Sequence, residues 1–159
     1  MVLATDIQDT KAADTFLEKF KRFETEEKHP SWLFPLRKAG IARFAELGFP
    51  TTRHEDWRFT NVAPLTKLPL NPIFEADHDG VTAKTLGQFT FAGLTGIRLV
   101  FVNGHFSKEL STNGDLRDGV KVSSLTAALA GDSTLLEKHF ARYARSDENA
   151  FAALNTAFF

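Results

Sequence analysis

The run Ile97-Arg98-Leu99-Val100-Phe101-Val102, followed at once by Asn103-Gly104, constrains the fold more than any other stretch of the chain. Aliphatic and aromatic side chains fill the run except at Arg98, which is strand composition. Asn-Gly tolerates positive φ at both central positions of a two-residue type I′ turn, and that turn matches the twist of a β-hairpin. The return strand is therefore expected over His105 to Leu110. Two-residue closure also sets the register: Phe101 opposes Phe106 on one face and Val102 opposes His105 on the other. Gln88 to Phe91 and Val120 to Val122 read as further short strands, which would widen the hairpin into a small mixed sheet.

Helical periodicity precedes this region. From about Lys11 to Thr25, Ala13, Phe16, Leu17, Phe20 and Phe23 recur at three- and four-residue steps and share a face. Glu18 and Arg22 sit four apart on another face, as do Glu24 and Lys28. His29-Pro30 ends the helix, because the residue before proline is driven out of the α region. A second helix starts near Ser31, a fitting N-cap, with Pro35 tolerated in the first turn. Leu33, Leu36, Ile41, Phe44 and Leu47 form its stripe, and Gly48 with Pro50 stops it. The chain carries 16 Phe against one Tyr and two Trp. Rings without a polar handle need cover, so the two Phe-rich faces are expected to meet in a helical hairpin.

After the hairpin, Ser124 can cap a short helix through Ala130. Asp132 or Ser133 can cap another through about Ala144. A last helix is expected from about Asp147, with Phe151, Leu154, Ala157 and Phe158 as its apolar set. The sequence stops at Phe158-Phe159, and the expectation is that further residues cover that face. Pro64, Pro69 and Pro72 mark residues 62–79 as a connecting segment with little regular structure.

Charge and composition exclude several classes of function. Nineteen Lys and Arg offset twenty Asp and Glu, for a formal net charge of −1, without segregation. That is not the basic footprint of a nucleic-acid binder. No apolar run approaches 18 residues, so no membrane span is expected. Met1 to Thr10 lacks a signal-peptide pattern. Cys is absent, which rules out disulfides, thiolate zinc sites and Cys-ligated iron–sulfur clusters within these residues.

Candidate chemistry is sparse. His29, His54, His78, His105 and His139 never take the spacing that puts two imidazoles on one helix face. His54-Glu55-Asp56 and Asp77-His78-Asp79 are acid–His clusters, read as solvated polar loops rather than cation sites. A metal-dependent hydrolase built on His54, Glu55 and Asp56 with His78 or Asp79 is the rival they would support. Ser107 and Ser111 lack a nucleophile elbow and read as surface residues. No phosphate-binding glycine loop is present. Glu55, Trp57 and Arg58 stand out in a segment with neither helical nor strand period. Trp57 is expected to bury as a clamp, with Arg58 bridging to a nearby acid, although an Arg beside a Trp can also hold a partner's carboxylate.

Three stretches, in order, resemble the SufB/SufD family, and SufD in particular. Pro50-Thr51-Thr52-Arg53-His54-Glu55-Asp56-Trp57-Arg58-Phe59-Thr60 is similar to the family's Pro-Thr-x-x-x-Glu-(Asp/Glu)-Trp-(Arg/Lys)-(Tyr/Phe)-Thr run after an N-terminal helical region. Leu99 to Phe106 is similar to its hairpin, and Ser123-Ser124-Leu125 to the helix start that follows. Phe151 to Phe159 is similar to the helix leading into its core. The resemblance implies a cytoplasmic subunit that works with SufB and the ATPase SufC in iron–sulfur cluster assembly. It also implies a right-handed β-helix beyond these residues. The family's cluster-related residues and SufC-binding region fall outside this sequence, so no catalytic, cofactor or metal residue carries over.

The expectation is thus an α+β chain that is not an enzyme and holds no cofactor. An N-terminal helical region with the Trp-containing loop spans 1–60, a linker 61–80, and a small α/β region 81–159. Its role is structural or partner-recruiting, and a free-standing interaction domain is the alternative.

Overall fold

Helix α2, Leu33–Leu47, organises the helical part of the molecule. In the computed structural model, which describes residues 7–26, 29–71, 73–74, 80–91, 96–112, 114, 116–131 and 133–159, with side chains from residue 14 onward, α2 packs against α1 (Ile7–Glu26) and, more extensively, against the last helix. That helix is α6, Ala150–Phe158. Between them lie α3 (Ala83–Leu86), α4 (Leu125–Ala130) and α5 (Ser133–Glu137). Strands β1 (Arg98–Val102) and β2 (His105–Thr112) form a two-stranded antiparallel sheet. The fold is α+β, as its sequence pattern predicts.

The chain forms two units. The first holds the described residues of Met1–Pro72 and Ala128–Phe159; the second holds those of Ile73–Ala127. The expected division at residues 60 and 80 leaves α6 with the hairpin region, whereas the structure gives α6 to the N-terminal helices. The physical reason is the apolar face of α6. Ala150, Ala153 and Ala157 are buried together with Phe20, Ile41, Phe44, Phe49 and Val62 in one core. Small side chains on α6 let it approach α2 closely at Gly40.

Phenylalanines fill the rest of that core edge to face. Phe44 meets Phe49 at 5.1 Å and 86° and Phe16 at 5.8 Å and 68°, while Phe20 meets Phe158 at 5.9 Å and 87°. Such pairs each add about 0.5–1.5 kcal/mol beyond their buried area. The Phe-rich faces of α1 and α2 thus meet, with α6 closing over them.

The helix ends follow their capping chemistry. Asn149 Oδ1 accepts from the backbone N–H groups of Phe151 and Ala152, both at 3.0 Å, so α6 begins at Ala150 rather than near Asp147. Gly48 N–H donates to Phe44 O at 2.8 Å at the end of α2. Trp32 precedes α2 as its N-cap residue, without a side-chain bond, so Ser31 is not the cap. Ser124 Oγ accepts from Ala127 N at 3.1 Å and starts α4. The helix expected to run to Ala144 stops at Glu137. Ala141 has φ +54°, a left-handed conformation that α-helix cannot continue through.

In the second unit the hairpin takes the expected register: Phe101 opposes Phe106 and Val102 opposes His105. Asn103 and Gly104 have φ of 50° and 87°, the type I′ pattern. β2 runs two residues beyond Leu110, through a bulge that pairs Val100 with Ser107 but Arg98 with Thr112. Two expected strands are absent. Gly87–Phe89 is a 3₁₀ turn continuing from α3, which Thr82 starts by accepting from Thr85 N. Val120 to Val122 has no ladder partner among the described residues. Among the described residues the sheet is therefore a bare hairpin.

Candidate interaction surfaces

The Trp57 segment is built by consecutive turns. His54 N–H donates to Thr51 O, Trp57 N–H to His54 O, and Thr60 N–H to Trp57 O, at 3.0, 3.0 and 2.9 Å. The residues between Glu55 and Trp57 form a 3₁₀ turn. His54 is a working part of this frame: its Nδ1 accepts from Thr51 N–H at 3.0 Å. Trp57 is half-buried on the rim of the helical core, with its ring 5.2 Å from that of Phe151. Glu55 and Arg58 stand outside, 86% and 62% exposed at their side chains, and Arg58 Nη1 lies 3.9 Å from Glu55 Oε1. An ion pair so long and so wet is worth at most a few tenths of a kcal/mol. The Arg58 guanidinium lies 5.5 Å from the centroid of the Phe59 ring, which is itself 93% exposed.

The acid–His candidates do not assemble into a site. His54, Glu55 and Asp56 are all exposed. Asp77, His78 and Asp79 lie outside the described residues. Among the described residues, no group of three His, Cys, Asp or Glu is placed to hold a metal ion. No helix among them is long and apolar enough to cross a membrane.

Two serines differ from their expected surface role. Ser107 is only 2% exposed and Ser111 is half-buried. Ser111 Oγ donates to Ser107 O at 2.5 Å and accepts from Val100 N–H at 2.9 Å. They satisfy backbone groups that the bulge removes from the ladder. The absence of a nucleophile elbow argued against catalysis, and a bulge has no sequence mark that could have shown this other role.

Arg37 also goes beyond what the stripe suggested. It is 2% exposed, with its guanidinium 4.7 Å from the Phe23 ring centroid. Its Nε donates to the main-chain oxygen of Phe159 at 2.7 Å, and Nη2 donates to the same atom. A cation at the C-terminal end of α6 satisfies an orphan carbonyl and opposes the negative end of the helix dipole. Its position signals this. Leu33, Arg37, Ile41 and Phe44 recur at helical steps, so residue 37 lies on the buried stripe in place of Leu36. At the surface of the same unit, Arg145 pairs with Asp147, and this charge-assisted hydrogen bond holds the Asp147 carboxyl below its usual range.

What remains most open to a partner is the outer face of the hairpin. Val100 and Val102 point inward and are buried, while Leu99 and Phe101 point outward and are 44% and 58% exposed. Ile97, Phe89 and Phe91 add to the exposed apolar surface and line a 280 Å³ cleft with Arg98 and Thr112. Exposed apolar side chains of this kind bring no reactive group into the cleft.

Comparison with known proteins agrees with the motifs. An iron–sulfur cluster assembly SufBD family protein from Synechocystis sp. is 28% identical over 121 residues, covering 76% of this chain. The match spans only 26% of that protein's length. No solved structure matches the chain. Residues 10–159, nearly the whole chain, match the family described as the SufBD protein N-terminal region, and the chain belongs to that family.

Proposed function

We propose that this chain is the N-terminal region of a SufD-type scaffold subunit. It works in the cytoplasm with SufB and SufC in assembling iron–sulfur clusters. The region is structural or partner-recruiting, is not an enzyme and holds no cofactor. Family membership over residues 10–159 and the similarity to the Synechocystis iron–sulfur cluster assembly protein support the assembly role. The observation that carries the contact role is the exposed apolar face of the hairpin, on a chain whose described residues bring no metal-binding group together. Trp57 acts as a structural clamp in this reading, holding the 51–60 segment to α6 through Phe151. Glu55 and Arg58 are left as exposed polar groups that a partner can engage.

The test is complementation. In cells lacking the full-length protein, its His54→Asn/Asp56→Asn variant, which keeps an acceptor for Thr51 N–H, is expected to restore iron–sulfur enzyme activity as the unaltered protein does. These substitutions remove the imidazole and one carboxylate of the cluster, so that Glu55 is left without a second metal-ligating or acid–base group beside it. A loss of about tenfold or more at unchanged protein level would overturn the non-catalytic reading.

A further inference from the structure

Phe89, Phe91 and Ile97 give the cleft of the second unit apolar walls, and Arg98 adds one cation. Thr90 is extended, at φ −94° and ψ 142°, which puts Phe89 and Phe91 on one side of the chain. Thr90 and Thr112 supply the hydroxyls of the lining, and no acidic residue belongs to it. Thr90 Oγ1 donates to Gly87 O at 3.2 Å and Thr112 Oγ1 to Gly96 O at 3.4 Å, so both hydroxyl protons are committed within the chain. Arg98 is exposed, and among the described residues no ion pair or hydrogen bond engages its side chain. A guanidinium is weakly hydrated, stacks on aromatic faces and presents a fork of donors that fits a carboxylate. The cleft therefore complements an anion joined to an apolar group.

We propose that this cleft docks a peptide segment of a partner protein in which an Asp or Glu adjoins an aromatic residue. The aromatic side chain lies among Phe89, Phe91 and Ile97, and the carboxylate takes hydrogen bonds from Arg98. Size favours a peptide over a free small molecule. Small-molecule sites run from about 300 to 1,000 Å³ and bury about 70–90% of the ligand. At 280 Å³, with Phe89 and Phe91 themselves 76% and 79% exposed, this cleft suits one large side chain whose own chain runs on outside. A single anchored aromatic is how such contacts concentrate their energy. Charge favours a carboxylate over a phosphate. One guanidinium balances one negative charge, whereas a phosphate carries about −1.5 to −2. One anchor and one exposed ion pair give a Kd on the order of 100 µM.

This inference deepens the partner-recruiting reading above and rests on it. Its probe is a fluorescein-labelled Ser-Gly-Glu-Phe-Gly-Ser peptide, titrated by fluorescence anisotropy against the 159-residue chain and against the full-length protein. The expected result is binding by both, with a Kd on the order of 100 µM. Arg98→Gln, Phe91→Ala and a probe with Gln in place of Glu are each expected to weaken it about tenfold or more. The Gln probe leaves the protein untouched, so its result does not depend on how a variant folds. No binding up to about 1 mM overturns the proposal, as does equal affinity for the Glu and Gln probes. N-acetylphenylalanine binding as tightly as the peptide overturns a peptide as the occupant. Binding by the 159-residue chain that the full-length protein lacks overturns the proposal too, because other residues of the protein then cover the cleft. None of these results touches the complementation test, so failure of the docking site and failure of the assembly role are separately visible.

Discussion

Replacing Phe44 with alanine is expected to lower the stability of the helical unit by about 4 kcal/mol. The ring is 0% exposed and stacks edge to face with both Phe16 and Phe49. Truncation removes its transfer free energy and two aromatic contacts, and leaves a cavity that α1, α2 and α6 cannot all close at once. Phe44→Leu keeps most of the volume and should cost about 1–1.5 kcal/mol. Urea denaturation followed by far-UV circular dichroism measures both. A loss below about 1 kcal/mol for the alanine variant would mean that the three helices do not share one core.

Gly40→Ala is expected to destabilise the same unit by about 2 kcal/mol, against the direction of helix propensity. Alanine in a helix interior is worth about 1 kcal/mol more than glycine. A Cβ at residue 40, however, would sit 2.8 Å from Ala153 O and 2.9 Å from Ala157 N. Both atoms are backbone, so no side-chain rotation relieves the clash and α6 must move off α2. Overpacking of this kind costs about 1–3 kcal/mol, and a rigid backbone neighbour puts it at or above the upper end. Denaturation of the variant beside the unaltered chain checks the sign. A stabilised variant would show that propensity outweighs the contact and that the helices have slack.

Local signals carried the hairpin and the helices. Asn103-Gly104 dictates both turn type and register because two positive φ values are needed there. The Phe spacing in α1 and α2 likewise marks the faces that meet. Elements set by long-range packing were not legible. The apolar face of α6 predicts burial but not which surface buries it, so its return to the N-terminal helices stays hidden in the sequence. The expected strands at Gln88 and Val120 lacked any such partner. Their short apolar runs fit a pleated surface, but a strand forms only where a neighbour completes the ladder. For the candidate site, the prominence of Trp57 was visible. The weak Glu55–Arg58 pair was not, because spacing cannot report how much water surrounds two charges. Ser107 was hidden for the opposite reason, since burial alone turns an ordinary polar residue into a structural one, while the helical spacing of Arg37 marked its face but not its partner.

The role proposed for these residues is to make contacts that help hold an assembly complex together. It is tested most directly by co-purifying the full-length protein with SufB and SufC, with and without residues 1–159. Removing the region is expected to lower recovery of the complex about tenfold, as losing about 1.4 kcal/mol of contact energy does, while the shortened protein still accumulates. Equal recovery of SufB and SufC with the shortened protein would contradict it.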